Sequence, residues 1–265
     1  MAESPGSFQK HLPGWTYILM TDTDNRQFVQ EFFPGFLSTY DKLPYPIMRA
    51  DAIRYMWLYI IGGVYADLDY KLQKDFTELF TEADSPYYLV QSGNIHMVTN
   101  SFMASKPGVE VWKEALALIS LRSNPKHQPW WFFSKHWKVM GTTGPMMLQT
   151  VVDQTQVPYT ALPSKLINPC TLCELEFGEI CQNDKIARAY LTQLRGSSWH
   201  SDDSSIINNI FCRPRDMTVA SLLIFGFALA LIIYAFKCGG SKMGWLVILI
   251  LVILLLAILM PKVFI

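Results

Sequence analysis

The sequence has no excess of either charge: lysine and arginine total 22, aspartate and glutamate total 22. No basic stripe interleaved with aromatics stands out, which argues against a nucleic-acid partner. Met1 to Lys10 contains no apolar run and so has no signal-peptide pattern. Internal repeats and low-complexity tracts are absent too, which excludes a solenoid. Cysteine is scarce, with Cys170, Cys173, Cys181, Cys212 and Cys238 as the full set. Cys170 and Cys173 form a CxxC, but no second CxxC or HxxxH follows to complete a zinc site. Disulfides or buried thiols fit better, and Cys238 is a candidate for palmitoylation.

What is abundant is apolar surface, 51% of residues by type, and it is unevenly spread. Residues 217–236 and 243–260 carry no charge. At about 1.5 Å per residue, each run suffices to cross most or all of a hydrocarbon core roughly 30 Å thick. The expectation is a two-helix transmembrane hairpin closed by the tight turn Lys237 to Lys242. Basic residues flank both ends of that hairpin, so charge leaves its orientation open.

The rest alternates short apolar runs with helical stretches, the pattern of an α/β domain over residues 15–215. Residues 1–14 read as a disordered N-terminal segment. Trp15 to Met20 (WTYILM) reads as a strand, and Phe28 to Phe33 as a short helix. A helix is expected from Pro46, a residue suited to the first helical position, through IMRADAIRYMWLYI until Gly62 and Gly63 stop it. Val64 to Tyr70 then reads as a strand whose alternation puts Asp67 and Asp69 on one face, about 7 Å apart.

Two carboxylates so placed repel each other unless a cation offsets them, and oxygen ligands suit a hard ion such as Mn²⁺ or Mg²⁺. Such an ion can bridge a nucleotide diphosphate and neutralise the charge that develops as it leaves, the central demand of sugar transfer from an activated donor. Alone, a DxD triplet is equally well read as a solvated strand end.

Its context is more specific. Arg49 to Tyr70, RADAIRYMWLYIIGGVYADLDY, resembles the signature of the DXD-containing glycosyltransferases of family 32, in which an AD-x-x-RY helix leads through LY-x-x-GG-x-Y into D-x-D. NSFMAS at 100–105 with Pro107, Gly144 and Pro145 in TTGP, and SWHS at 198–201 follow in the family's order. That order looks most like the mannosyltransferases that modify inositol phosphorylceramide. The resemblance implies a GT-A-type nucleotide-sugar-binding domain, retaining transfer, and a nucleotide-sugar donor, GDP-mannose favoured with a UDP-sugar the alternative. It implies a membrane lipid acceptor resembling inositol phosphorylceramide, a lipid bilayer as partner, and a Golgi or other secretory-pathway membrane with the catalytic domain lumenal.

Carried over by position, the resemblance makes Asp67 and Asp69 the metal and diphosphate residues and His200 a third ligand, against the plainer reading of a satisfied surface or core histidine. Asp51 and Arg54 would reach the donor's sugar hydroxyls or phosphates, against the plainer reading of a surface ion pair. Tyr65 would stack on or bond the donor, or simply pack; Asn100 would bind a sugar hydroxyl, or cap a turn. Trp199 would close the site over the diphosphate. The family's opening strand, with its I-P-K-x-I-H-like segment, has no match here, where the chain enters at LPGWTYILMTD.

Two other classes compete. Phosphohydrolases also place DxD after an apolar strand, but they need a Thr or Val soon after the second Asp, where this chain has Tyr70 and Lys71. A non-catalytic relative that serves as partner or regulator of an active transferase is the other; a regulatory membrane subunit would be the corresponding partner of an active chain.

Overall fold

The computed structural model describes residues 3–80, 85–91, 97–176, 181–194 and 202–212. Contacts divide the chain into two units, Met1–Ser205 and Ile206–Ile265. In chain order the first unit runs α1 (Glu3–His11), α2 (Asp22–Phe32), α3 (Leu37–Lys42), α4 (Pro46–Ile60), β1 (Gly63–Ala66), β2 (Tyr70–Leu72), β3 (Tyr87–Gln91), β4 (Val98–Ser105) and α5 (Glu110–Ser123). Then come α6 (Lys135–Thr142), α7 (Pro145–Thr155), β5 (Thr160–Pro163), α8 (Ser164–Ile167), α9 (Leu172–Glu176), α10 (Asn183–Arg188), β6 (Leu191–Gln193) and the beginning of α11 (Asp202–Cys212).

The main sheet has the order β1-β4-β3-β5, antiparallel except for the parallel β3–β5 pair, and β2 and β6 form a separate antiparallel ribbon. Strand alternation gives the sheet two apolar faces. Tyr87, Leu89 and Met103 face a core built with α4, α5 and α7. Tyr88, Val90, Phe102 and Ala104 face a second core with Tyr70, Leu72, Leu191 and, from α1 and just beyond it, Phe8 and Leu12. The N-terminal segment thus folds back as a helix on β2, where the Ser7 hydroxyl accepts the Leu72 N–H at 2.9 Å.

Pro46 opens α4 and Gly62 follows its end, as the sequence reads. Gly62 holds φ at +75°, and a Cβ there would sit 2.8 Å from the Ser105 carbonyl oxygen. No other residue tolerates both that backbone and that contact. Helix α4 is buried around most of its girth, Asp51 and Arg54 included, so it lacks a clean amphipathic stripe.

Three expectations are corrected. Trp15 to Met20 forms neither helix nor strand; no described strand pairs with it, and β propensity without a partner does not make a strand. The strand expected over Val64 to Tyr70 ends at Ala66, and Asp67 to Asp69 form the turn into β2. The architecture expected after the domain is overturned as well: no helix among the described residues is long and apolar enough to cross a membrane. The runs 217–236 and 243–260 lie outside the described residues. Length and hydropathy show that a run could span a bilayer, which is less than showing that it does. What stands is a mixed α/β domain.

Among the cysteines, Cys170 and Cys181 form a disulfide, and Cys173 is disulfide-bonded as well. Both sulfurs of the CxxC are therefore committed to disulfides, which removes them as zinc-binding thiolates.

Candidate active site

The site is built from the inner face of α4, the end of β1 and an irregularity in β4. Between Leu89 and Val90 the β3–β4 register shifts, leaving residues 100–102 without partners on β3. Such a bulge redirects side chains and frees backbone groups for other bonds. Asn100 uses that freedom twice: its carbonyl accepts from Arg54 Nη1 at 2.7 Å, and its Nδ2 donates to Asp51 Oδ1 and to the Tyr55 hydroxyl, both at 3.0 Å. The carbonyl of the next residue, Ser101, accepts the Asp67 N–H at 2.9 Å and so fixes the start of the acidic turn.

Arg54 is the hub. Its side chain is 3% exposed, with Nη2 2.9 Å from Asp51 Oδ1 and Nη1 3.0 Å from Asp67 Oδ1. Nε donates to the Ala50 carbonyl at 3.2 Å, and the guanidinium lies 4.6 Å over the Tyr65 ring. Burial opposes its charge, but Asp67, Tyr65 and Asp51 together raise its pKa above the ordinary value. A guanidinium that must satisfy two carboxylates, two carbonyls and an aromatic face at once leaves no geometry for a lysine to copy. The surface-pair reading of Asp51 and Arg54 is excluded, because both are buried.

Asp51 is held on its other oxygen by the Thr143 hydroxyl at 2.8 Å. Burial pushes its carboxyl up to about 6 against the pull of Arg54 and Thr143. Tyr55 donates to the Thr143 carbonyl at 2.8 Å, closing the network onto the end of α6. Tyr65 is half-buried, and its hydroxyl donates to Asp67 Oδ1 at 2.7 Å. Burial holds its pKa well above that of a free tyrosine, so it remains a donor.

Asp69 is held differently. Oδ2 accepts from Gln193 Nε2 at 2.9 Å, and its backbone carbonyl accepts the Leu194 N–H at 2.6 Å, both from the β6 side. Oδ1 is buried and has no hydrogen-bond partner. Burial raises the Asp69 pKa, Gln193 opposes the rise, and the charge on Asp67 adds to it. An unpartnered buried carboxylate oxygen is costly, and it marks a place where a ligand or cation would be stabilised. Hard oxygen donors of this kind fit Mg²⁺ or Mn²⁺. Among the described residues no group of three His, Cys, Asp or Glu side chains that could hold a metal converges. Trp199 and His200 lie outside the described residues.

Five of the eight expected site residues, Asp51, Arg54, Tyr65, Asp67 and Asn100, thus meet in one network, with Asp69 two residues further on. The residues not singled out from sequence are Thr143, Tyr55, Ser101 and Gln193. The first three lie inside motifs that were legible, TTGP, RADAIRY and NSFMAS. Gln193 had no local signal, since only the pairing of β6 with β2 brings it to Asp69.

Residues 3–86 match the glycosyltransferase sugar-binding region containing the DXD motif. The chain is 29% identical over 229 residues to mannosyl phosphorylinositol ceramide synthase SUR1 of Saccharomyces cerevisiae, covering 85% of this chain and 54% of that protein. It is 29% identical over 195 residues to inositol phosphoceramide mannosyltransferase 2 of Schizosaccharomyces pombe, covering 74% of this chain and 52% of that one. The chain therefore spans about half the length of the curated relatives it matches. A solved structure, the PaToxG glycosyltransferase, aligns at 16% identity over 48% of this chain and 42% of its own, with a TM-score of 0.35, too slight a likeness to bear on the fold. The matched region contains α4, the glycine turn and both aspartates of the acidic turn, so it is this part of the chain that is similar to the sugar-binding region of the DXD-containing glycosyltransferases.

Proposed function

We propose that this chain is a mannosyltransferase that moves a hexose from a nucleotide-sugar donor, GDP-mannose in preference to a UDP-sugar, onto an inositol phosphoceramide-like membrane lipid. The relatives' names supply the sugar and the acceptor class. The observation that carries the reading is the buried Arg54 charge clamped between Asp51 and Asp67, beside an Asp69 oxygen that has no partner. In this proposal Asp67 and Asp69 hold a divalent cation, Mn²⁺ or Mg²⁺, which when bound offsets the negative charge that grows on the departing diphosphate. Arg54 orients Asp67 toward that position. Asp51, fixed by Asn100 and Thr143, keeps Arg54 from rotating away. Asn100 and Asp51 border the place where the donor's sugar hydroxyls would lie, and transfer proceeds with retention at the anomeric carbon. The disulfides agree with an oxidising compartment such as a secretory-pathway lumen.

The test is a panel of radiolabelled GDP- and UDP-sugars offered to the purified full chain, with vesicles containing inositol phosphoceramide and with Mn²⁺ or EDTA. Label from GDP-mannose should enter the lipid with Mn²⁺ and not with EDTA, and the new bond should keep the donor's anomeric configuration. Absence of both transfer and donor hydrolysis across the whole panel would overturn the reading in favour of a non-catalytic relative.

A further inference from the structure

Between α5 and α6 the chain carries Gln128-Pro-Trp-Trp-Phe-Phe-Ser134, and its four aromatics divide in two. Phe132 is buried, its ring lying where a Cβ on Gly141 would be, at 2.3 Å, and Trp131 packs edge-on against Phe132 and Trp137. Trp130 and Phe133 point the other way, 70% and 75% exposed, more than any other large apolar side chain among the described residues. The segment is fixed in place: Gln128 Nε2 donates to the Arg122 carbonyl at 2.9 Å, Arg122 Nη1 donates to the Gly141 carbonyl at 2.6 Å, and Ser134 caps α6. Two large apolar groups held in water by a rigid mount demand a partner far more than scattered surface residues do.

The charge around them says which partner. From residue 115 to residue 152 there is no acidic residue, while Arg122, Lys126, Lys135 and Lys138 all fall within that span. Lys126 and His127 are exposed immediately before the wedge, and Lys135 lies 5.6 Å over the Tyr45 ring just behind it. An acid that touches the segment is Asp203, whose Oδ2 accepts the His136 N–H at 2.8 Å. Two protruding side chains offer roughly 150–250 Å² each, short of the ~800 Å² per partner of a stable protein interface. A bilayer interface needs no complementary surface, accepts tryptophan at headgroup level and phenylalanine just beneath, and attracts flanking cations when its lipids are anionic.

We propose that Trp130 and Phe133 are a membrane-docking wedge that inserts into the interface of a bilayer containing anionic phospholipid, with Lys126 and Lys138 against the headgroups. The wedge stands at the N-terminal end of α6, whose far end, about 12 Å away for eight helical residues, delivers Thr143 to Asp51. Docking would therefore set the site a fixed short distance from the lipid surface. This goes beyond the transfer reaction proposed above and does not depend on it.

The test mixes the full chain with phosphatidylcholine vesicles, with and without phosphatidylinositol, and isolates the Trp130 signal as the difference in emission between the wild-type protein and Trp130→Phe. The difference spectrum should be blue-shifted, and quenched when the lipids carry bromine high on the acyl chains, since an interfacial side chain sits about 5–10 Å into the headgroup and acyl boundary. Quenching should rise with phosphatidylinositol and fall in Lys126→Glu/Lys138→Glu. A difference spectrum typical of water-exposed indole and insensitive to brominated lipid would overturn the proposal. So would a blue shift that follows protein concentration rather than lipid, which would assign the patch to contact between copies of the chain. The readout requires no donor or acceptor, so a failure of the transfer reaction cannot be mistaken for a failure of docking.

Discussion

Asp67 and Asp69 are two residues apart and are governed by different halves of the domain. Asp67 follows β1 of the main sheet, and Arg54, Tyr65 and the Ser101 carbonyl hold it from the core that contains α4. Asp69 precedes β2, and Gln193 and Leu194 hold it from the ribbon that packs with α1. The first carboxylate is tied to a buried cation on one oxygen; the second has one oxygen with a single neutral donor and one with none. A turn joining two cores can hold one ligand rigidly and leave the other short of partners, a division of labour that suits a site meant to receive a charged guest.

The sharpest way to break the Asp67 side is Arg54→Ala. It strands the buried Asp51 carboxylate, a loss of about 3–5 kcal/mol for a buried pair, and should lower the thermal midpoint strongly as well as abolish transfer. Arg54→Lys separates the two effects. It keeps a charge but loses the fork, so transfer should drop about 10²-fold or more with a far smaller loss in stability. Full activity in Arg54→Lys would show that only the charge matters.

Asp69→Ala tests the other side. Removing a carboxylate whose Oδ1 bonds nothing in the fold should leave the melting transition within about 1 kcal/mol of wild type. Transfer should nonetheless fall by about 10²-fold or more, since a charge contact at the leaving group is lost. Near-normal turnover at saturating Mn²⁺ would refute the metal assignment. A smaller change, a few-fold rise in the Mn²⁺ concentration needed for half-maximal rate, is expected for Gln193→Ala, which loosens Asp69 without removing it.

A pH profile sharpens the comparison further. Burial raises the Asp51 carboxyl to about 6, so activity should fall as pH drops through 6 and Asp51 ceases to anchor Arg54. Stability moves the opposite way for this group. A carboxyl whose folded pKa lies above its unfolded value favours the fold fully below the unfolded pKa and loses that contribution as pH rises through 6. Activity and the Asp51 share of stability should therefore diverge on the acid side of 6, measured by initial rates and thermal melts in the same buffers.

Much of the site was legible because it sits on local structure. The proline start of α4, its glycine stop and the three-residue spacing of Asp51 and Arg54 are sequence-local, and they put both side chains on one helix face. That this face points inward, making a surface pair into a buried hub, depends on α5, β4 and α6 packing around the helix, which no local pattern states. The acidic triplet was visible as chemistry, but its placement was not. Strand alternation predicted one continuous strand, whereas the β1–β4 pairing stops at Ala66 opposite Phe102 and a new ribbon begins at Tyr70.

By itself the sequence determined the α/β class, the helix that carries Asp51 and Arg54, the glycine turn behind it and the identity of the paired carboxylates. These rest on propensity, caps and spacing, which act over a few residues. Only the tertiary structure decided that the β4 bulge would turn Asn100 toward Asp51, that Thr143 and Gln193 would close the network from distant segments, and that one oxygen of Asp69 would be left without a partner. Those features arise where strand registers and two separate cores meet, and contacts spanning 92 and 124 residues of chain are set by the packing of the whole domain.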